Sequence, residues 1–339
     1  MLRNIASIIF ALLLIPMTFG ALLVVNVDRT LLSSEFYKST LQKGDVYRKV
    51  INNGPVAVFD VITQSQGVTS TANLGPFAKE DVAGVITKSI PQAWFEENIN
   101  AALDQGLGYV TGKRDNIDFK LSLVDIKANF SYYVGKDVLT KINSMPYCTT
   151  DQLRQLQSQG NVMAFLSQNC RPAGVDAQAI RRFIGGNNDP FAMIPSKVNL
   201  EELFKQNEQY FSQARGYVSM FMLAEKALIA VVLGVISLLI LINIHHKKAM
   251  GIFVGVPVIL ASVGVIGLGK LIRFLSGSPL QESIKMPENA KNLLMDITGT
   301  FANQIIRNLF ITSGLVALGA IVFMVVMMRV GRKTHPPLG

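Results

Sequence analysis

The sequence predicts a mainly α integral membrane protein with four transmembrane helices and a large, mostly helical extracytoplasmic domain between the first and the second. Half of its 339 residues are hydrophobic and only 16% are charged, whereas about a quarter of the residues of a soluble protein are charged. The apolar residues are concentrated in four runs without a charge, each close to the roughly 20 residues that span a bilayer as a helix. These runs are Asn4–Val27, Ala227–Ile244, Ala249–Gly269 and Asn308–Met328.

Basic residues beside the four runs predict the orientation of the chain in the membrane. Arg3 precedes the first run, His245–Lys248 joins the second to the third, and a basic tail, Arg329–Lys333, follows the fourth. These short segments contain no acidic residue, and Lys and Arg are enriched in short cytoplasmic loops. We therefore expect a multi-pass plasma-membrane protein with both termini in the cytoplasm and residues 28–226 on the extracytoplasmic side.

Three regions follow from the positions of the runs. We expect residues 1–27 to form an N-terminal transmembrane anchor, residues 28–226 an extracytoplasmic helical domain, and residues 227–339 a three-helix transmembrane region. The last region contains a short cytoplasmic turn, an outer loop (270–307) and the basic tail. The first run is alternatively a cleaved signal peptide, but the apolar part of such a peptide has about 7–15 residues. Because this run continues through Val25, an uncleaved anchor is favoured.

The excess of basic residues does not indicate nucleic-acid binding. The formal net charge is +9, but residues 28–226 contain 21 basic and 20 acidic side chains. The remaining positive charge lies beside the apolar runs and is explained by membrane orientation. We expect membrane lipid as a partner, and no nucleic acid.

The only two cysteines, Cys148 and Cys170, both lie in the segment expected outside the membrane. An even number of cysteines on the oxidising side of a membrane predicts a disulfide. The alternative is two unrelated buried thiols. A catalytic thiol is disfavoured, because a cysteine nucleophile needs a basic partner such as His and residues 28–226 contain no histidine.

Residue patterns for catalysis, cofactors or metals are largely missing from the sequence. All three histidines, His245, His246 and His335, lie in segments expected on the inner side, and no ionisable residue interrupts the four runs. Ionisable residues within the membrane normally mark ion paths and embedded active sites. The remaining enzymatic mechanism is one that uses a pair of carboxylates. The candidate carboxylates have Lys and Arg neighbours in the sequence, which is typical of a solvent-exposed surface. They are Glu96, Glu97, Asp115 and Asp118. We predict no catalytic, cofactor-binding or metal-binding residues.

The spacing of apolar residues predicts short helices through most of the external segment. The predicted features are a helix break at Gly44, a helix start at Pro55, helix caps at Ser89 and Ser122, a short strand over Ile117–Ser122, and a helix from about Asn199 through Phe204, Phe211 and Met222 directly into the second run. In the outer loop, an amphipathic stretch over Leu293–Phe301 is expected on the membrane surface or against the main domain. The segments Gln66–Leu74 and Pro279–Pro287 are predicted to be loops available for recognition.

Glycines in the third run predict close helix packing. Gly251 and Gly255 form a GxxxG pair, and such small residues let the backbones of membrane helices approach each other. Gly314, Ala317 and Gly319 of the fourth run are expected to form the facing groove. We favour packing within one four-helix bundle, and the alternative is dimerisation of two copies through this pair.

The residues after the first run resemble the opening of a group of uncharacterised bacterial envelope membrane proteins. The similar residues are Asn26–Leu32, Phe36, Tyr37, Leu41 and Asp45–Tyr47. Members of that group have an N-terminal anchor, a large extracytoplasmic helical domain and C-terminal transmembrane helices. The resemblance implies a bacterial plasma-membrane location, and it implies no activity and no functional residues.

Two functions remain compatible with the sequence. The favoured one is a non-enzymatic membrane protein whose external domain binds or scaffolds another envelope component, either a protein or a polymer, and a homo-oligomer is compatible with it. The alternative is a transport or channel component that uses the C-terminal helices. Polar residues in the middle of the runs are few, namely Ser237, Ser262, Thr312 and Ser313, and this scarcity favours the first function.

The predicted orientation is testable by labelling. Single cysteines introduced at Ser276 and Thr334, in a chain without Cys148 and Cys170, are expected to react oppositely with an impermeant maleimide on intact cells. Ser276 lies in the outer loop and should be labelled, whereas Thr334 lies in the basic tail and should be protected. Equal labelling at both positions would contradict the four-span topology.

Overall fold

The computed structural model describes residues 2–65, 79–159, 170–171, 196–275 and 286–333, which form eleven helices and two short strands. Before the second apolar run the elements are α1 (Leu2–Leu31), α2 (Ser34–Lys43), α3 (Val46–Ser65), α4 (Lys79–Ser89), α5 (Gln92–Val110), β1 (Lys120–Ser122), α6 (Val124–Ser144), α7 (Thr150–Gln159), β2 (Lys197–Asn199) and α8 (Leu200–Gln206). The remaining helices are α9 (Glu208–Ile242), α10 (Lys247–Leu275) and α11 (Glu288–Lys333). The mainly α fold is confirmed.

Four helices, α1, α9, α10 and α11, are long and apolar enough to cross a membrane. Each contains one of the four predicted runs, so the chain is a multi-pass membrane protein. In hydrocarbon, a helix satisfies its own backbone hydrogen bonds, and for this reason long apolar runs fold as uninterrupted helices. Even Pro16 lies within α1 without ending it.

Two of these helices continue far beyond their apolar runs. α9 begins 19 residues before its run, and α11 begins 20 residues before its own. At 1.5 Å per residue, each extension is about 30 Å long. The amphipathic stretch Leu293–Phe301 is therefore the N-terminal part of α11 and packs against α3. It does not form a separate helix on the membrane surface.

The four spanning helices pack around a core of aliphatic side chains. α10 lies between α1 and α11, and α9 packs mainly against α1. α10 is the most buried of the four spans, and α9 is the least buried. One buried cluster contains Leu14, Val232, Leu239, Val254 and Val258, and a second contains Leu22, Val265 and Leu309.

The GxxxG pair lies against α11 of the same chain. A Cβ atom added at Gly251 would lie 3.0 Å from the Met327 Cβ and 3.3 Å from the Met324 carbonyl oxygen. A Cβ at Gly255 would lie 3.1 Å from the Met324 Cβ and 3.3 Å from the Ala320 carbonyl oxygen. The absence of side chains at these two positions therefore lets the backbones of α10 and α11 approach closely.

The facing groove differs from the one expected from the sequence. A Cβ atom added at Gly314 or Gly319 has no neighbouring atom within 4 Å, so these glycines do not face α10 closely. The residues opposite the GxxxG pair lie further along α11, at Ala320–Met327. The relative height of the two helices sets this register, and residue spacing within either helix does not reveal it.

Helix boundaries between the first two spans follow the predictions only in part. Gly44 ends α2, as predicted, and a side chain there would collide with Thr300 of α11. Pro55 lies inside α3 and does not begin a helix. A proline cannot donate to the carbonyl four residues earlier, and here that carbonyl, of Ile51, accepts a hydrogen bond from the Thr87 hydroxyl at 3.0 Å. The lost backbone bond is thus replaced by a contact with α4.

The two predicted serine caps are wrong. Ser89 is the last residue of α4, where its hydroxyl donates to the Val85 carbonyl at 2.6 Å, and Pro91 is the residue that precedes α5. Ser122 is the last residue of β1. At both positions the serine thus belongs to the preceding element, although residue spacing alone predicts the start of a new helix there.

The predicted strand and the helix from Asn199 also need correction. The strand is β1, which begins at Lys120 and pairs antiparallel with β2. Asn199 does begin a helix, because its side chain accepts a hydrogen bond from the Glu201 N–H at 3.1 Å. That helix, α8, does not continue into the span, since Asn207 leaves the helical conformation with φ −115° and ψ 18°.

Ion pairs and hydrogen bonds between helices hold the region outside the spans together. Lys38 of α2 forms a salt bridge with Asp104 of α5, and the Tyr47 hydroxyl donates to Asn100 at 2.7 Å. Lys49 of α3 pairs with Asp296 of α11 at 2.7 Å. The last contact ties this region directly to the helix that forms the fourth span.

The glycine contact with α11 predicts a loss of stability on substitution. Gly255→Val should lower the melting temperature of the detergent-solubilised protein, because added atoms in a closely packed contact cost about 1–3 kcal/mol. The matched control is Gly267→Val on the same helix, where an added Cβ has no neighbour within 4 Å. Equal melting temperatures for the two variants would contradict the α10–α11 contact.

The salt bridge between Lys38 and Asp104 predicts a pH-dependent contribution to stability. Burial raises the pKa of Asp104, but the hydrogen bonds from Lys38 and Ser34 and the charge of Lys38 outweigh it and leave the pKa below its ordinary value. The stabilisation is therefore present above the unfolded pKa of about 3.9 and is lost as the pH falls through the lowered folded value. Lys38→Gln should cost about 0.5 kcal/mol at pH 7, since both side chains are partly exposed.

Denaturation of the wild type and the Lys38→Gln variant between pH 7 and pH 2 measures this difference. The difference should shrink as Asp104 becomes protonated in both states. Arg154→Gln is the control, because Arg154 pairs with Asp151 at 3.8 Å and both side chains are highly exposed. A difference between wild type and Lys38→Gln that stays constant with pH would contradict the assignment.

Candidate functional site

A cleft of about 530 Å³ lies beside the N-terminal part of α9. Its walls come from the end of α5, the segment that leads into β1, and the junction of α8 with α9. The lining residues are Tyr109, Asp115, Asn116, Ile117, Asp118, Lys120, Glu201, Phe204, Lys205, Glu208 and Phe211. The volume is in the range of ligand sites, and the lining is mostly polar, with seven polar or charged residues beside three aromatic residues and one isoleucine.

The break at Asn207 positions the aromatic wall. It separates α8 from α9, and the Phe204 and Phe211 rings, one on each helix, meet with centroids 4.4 Å apart at an angle of 54°. The β1–β2 pairing aligns Lys120 with Asn199 and thereby brings the start of α8 beside the segment before β1. Residues about 80 positions apart in the chain thus form one surface.

Arg215 links α9 to the opposite wall of the cleft. Its Nη2 atom donates to the Asp115 Oδ1 atom at 3.0 Å, and its guanidinium carbon lies 5.2 Å from the centre of the Tyr109 ring. The chain turns between these two contacts at Gly112, whose φ of +74° favours glycine. α9 is therefore joined to the end of α5 by an ion pair and a cation–π contact.

Paired charges form the rim of the cleft. Lys205 contacts Glu201 at 2.7 Å, and Lys120 contacts Asp118 at 3.1 Å. The hydrogen bond to Glu201 and the charge of that carboxylate raise the pKa of Lys205. Four carboxylates and two ammonium groups line the cleft, so it offers donors and acceptors around an aromatic wall.

The four carboxylates considered from the sequence do not converge on one point. Asp115 and Asp118 line the cleft and are engaged with Arg215 and Lys120. Glu96 and Glu97 lie on α5 and do not line the cleft, and Glu96 accepts a hydrogen bond from Gln92 at 2.7 Å. Within the described part of the chain, no group of three or more His, Cys, Asp or Glu residues is placed to hold a metal ion.

The two cysteines form a disulfide, as the sequence predicts. Cys148 and Cys170 are bonded, and the neighbouring backbone closes around them, with the Cys148 N–H donating to the Arg171 carbonyl at 3.0 Å. The Arg171 guanidinium carbon lies 4.6 Å from the centre of the Tyr147 ring, and its Nη1 atom donates to Asn143 at 3.2 Å. The disulfide therefore joins the segment between α6 and α7 to Cys170, outside the cleft lining.

The loops predicted for recognition cannot be compared with the structure in full. Gln66–Leu74 lies outside the described residues, as does most of Pro279–Pro287. The residue pattern does not predict the cleft residues on α8 and α9, because Phe204 and Phe211 fit the apolar face of one continuous helix. Asn207 between two aromatic residues was the available signal of a bend.

No protein-family model matches this chain, and no curated protein or solved structure matches it. Function is therefore inferred from the geometry of the chain itself.

The disulfide predicts a stabilising covalent link. Closure of a 22-residue separation should stabilise the fold by about 3 kcal/mol in the chain-entropy model. Cys148→Ser with Cys170→Ser in the full chain should therefore lower the melting temperature, and peptide mapping of the wild type should recover the joined fragments. Two free thiols in protein purified from its native membrane would contradict the link.

Proposed function

We propose that the protein is a non-enzymatic integral membrane protein of a bacterial cell envelope. It presents the helical region between the first two spans on the extracytoplasmic side, where this region binds another envelope component through the cleft beside α9. The observation that carries the proposal is the continuity of α9 and α11, which run from the membrane core into that region without a break. Such helices hold a binding surface at a fixed height above the bilayer.

The interior of the bundle supports a scaffold over a transport path. Its two buried clusters are aliphatic. The polar side chains buried near the middle of the described spans are the hydroxyls of Thr18, Ser262 and Ser313, and the Ser262 hydroxyl donates to the Val258 carbonyl of its own helix at 2.8 Å. Ser237 is exposed on α9 and faces away from the bundle core. A transport path needs polar groups that line a cavity near mid-membrane.

Two independent features support an extracytoplasmic location of the region between the first two spans. The short segments at the other ends of the four runs contain basic residues and no acidic residue, which favours those ends for the cytoplasm. The disulfide lies between Cys148 and Cys170, and disulfides persist in oxidising compartments.

The cleft favours a ligand with apolar and polar groups, such as a segment of an envelope protein or a polymer. Phe204 and Phe211 offer ring surface for apolar side chains or sugar rings, whereas the Tyr109 ring is in contact with the Arg215 guanidinium. The paired charges at the rim offer hydrogen bonds around them.

Photocrosslinking in cells tests the proposed site. A benzophenone amino acid in place of Lys205, on the rim, should capture a discrete envelope component. The same amino acid in place of Tyr132, an exposed residue of α6 that does not line the cleft, is the control. Phe204→Ala combined with Phe211→Ala should abolish the crosslink from position 205, because the aromatic wall is lost.

Two results would contradict the proposal. Equal crosslinking from positions 132 and 205 would show that the cleft has no special role. Robust solute flux into liposomes that contain only this protein would favour the alternative, a transport or channel component.

A further inference from the structure

One side of α9 is exposed along the whole length of the helix. It contains two series of exposed residues, each with a spacing of seven. The first series of exposed positions is Tyr210, Tyr217, Ala224, Val231 and Leu238. The second series, three residues later, is Gln213, Met220, Ala227, Gly234 and Leu241. Alternate spacings of three and four residues are the pattern of a helix that packs lengthwise along a partner helix. We name these ten residues the α9 seam.

The upper part of the seam is unusual for a surface in contact with water. Tyr210 and Tyr217 are each 73% exposed, Met220 is exposed to a similar extent, and so is Leu223, which lies beside the seam. These side chains precede the apolar run of α9, so lipid does not account for all of them. Large exposed apolar patches on the aqueous surface of a protein mark interaction sites.

The exposed side of α9 carries no charge over Gln209–Ala224. Ten residues between Gln209 and Ala224 are exposed, and none of them is charged. Arg215, the only charged residue in that interval, points to the other side of α9 and contacts Asp115. A face without charge does not repel an identical face in another copy.

α9 is the least buried of the four spans and is therefore the most open to a partner helix. Gly251 and Gly255 of α10 are already used in the contact with α11. α9 lies at the perimeter, and a Cβ atom added at Gly234 or Gly216 has no neighbour within 4 Å. Small residues at such open positions allow close approach of a second helix within the membrane.

We propose that the α9 seam is the interface of a parallel homodimer. Copies inserted with the same orientation in one membrane present their α9 helices side by side and parallel. A two-fold axis along the membrane normal then brings each seam residue against its own counterpart. The uncharged, evenly spaced seam is complementary to itself in this arrangement.

The area available is sufficient for a stable pair. The seam from Tyr210 to Leu241 covers 32 residues, which is about 48 Å of helix. With a helix about 10 Å wide, each copy contributes about 480 Å². The two copies together reach the roughly 1,000 Å² that a specific interface requires.

Cysteine crosslinking of the full chain in its membrane tests the seam. Both native cysteines are engaged in the disulfide, so one introduced cysteine is the only free thiol. Mild oxidation should convert Tyr217→Cys and Met220→Cys to disulfide-linked dimers, because each residue would meet its counterpart. Ser219→Cys is the control, since Ser219 is exposed on the same turn but lies outside the seam.

A second variant measures affinity without disturbing the fold of one copy. Tyr217→Glu should raise the dimer dissociation constant at least about tenfold, because it places like charges opposite each other. Its melting temperature at concentrations where the wild type is monomeric should stay unchanged. Tyr132→Glu is the matched control for an exposed tyrosine elsewhere.

Three outcomes would overturn the homodimer. Equal crosslinking at positions 217 and 219 would remove the seam as the interface. A purified wild-type protein that remains monomeric in lipid nanodiscs at high protein-to-lipid ratios would do the same. Crosslinks of Tyr217→Cys to a different protein, with none between copies, would assign the face to a heteromeric partner.

Discussion

The continuity of two helices across the membrane boundary is the constraint on which the rest of the structure depends. α9 and α11 each extend about 30 Å beyond their apolar runs, and the helices between the first two spans pack against these extensions. Lys49 pairs with Asp296 on one extension, and Arg215 on the other extension pairs with Asp115. The position of the helical region thus follows from the position of the bundle.

Close packing of α10 against α11 holds α11, and therefore its extension, in position. Hydrocarbon offers no hydrophobic driving force for helix association, so short interhelical distances must supply the attraction. Gly251 and Gly255 provide such distances at the end of the bundle near His245–Lys248. At the other end, Gly44 allows the turn between α2 and α3 to approach Thr300. Glycines of neighbouring elements thus allow close contacts with α11 both in its apolar run and in its extension.

The four spans could be predicted from the sequence because their signal is local. Apolar runs of sufficient length form helices wherever they occur in hydrocarbon, and the disulfide followed from two cysteines in one segment. Helix ends were predicted less well. Pro55 suggested a start, but the Thr87 hydroxyl of α4 compensates for the hydrogen bond that proline cannot make. Such compensation depends on tertiary contacts that residue spacing does not contain.

The cleft could not be predicted for the same reason. It depends on the pairing of β1 with β2, two three-residue strands separated by more than 70 residues. It also depends on one bend at Asn207, in a stretch whose apolar spacing fits a single helix. Asp115 and Asp118 were noticed as carboxylates, yet their neighbours Phe204 and Phe211 became visible only in three dimensions.

The length of the α9 extension also determines the electrostatic surroundings of the cleft. Phe211 lies 16 residues before the first residue of the apolar run, or about 24 Å along the helix axis. The headgroup layer takes up about 6 Å of this height. At physiological ionic strength the Debye length is about 8 Å, so the rim lies about two screening lengths above the headgroups. The field of anionic headgroups is therefore strongly reduced at the rim. The ion pairs at the rim depend more on the salt concentration of the surrounding solution than on the lipid composition of the bilayer below.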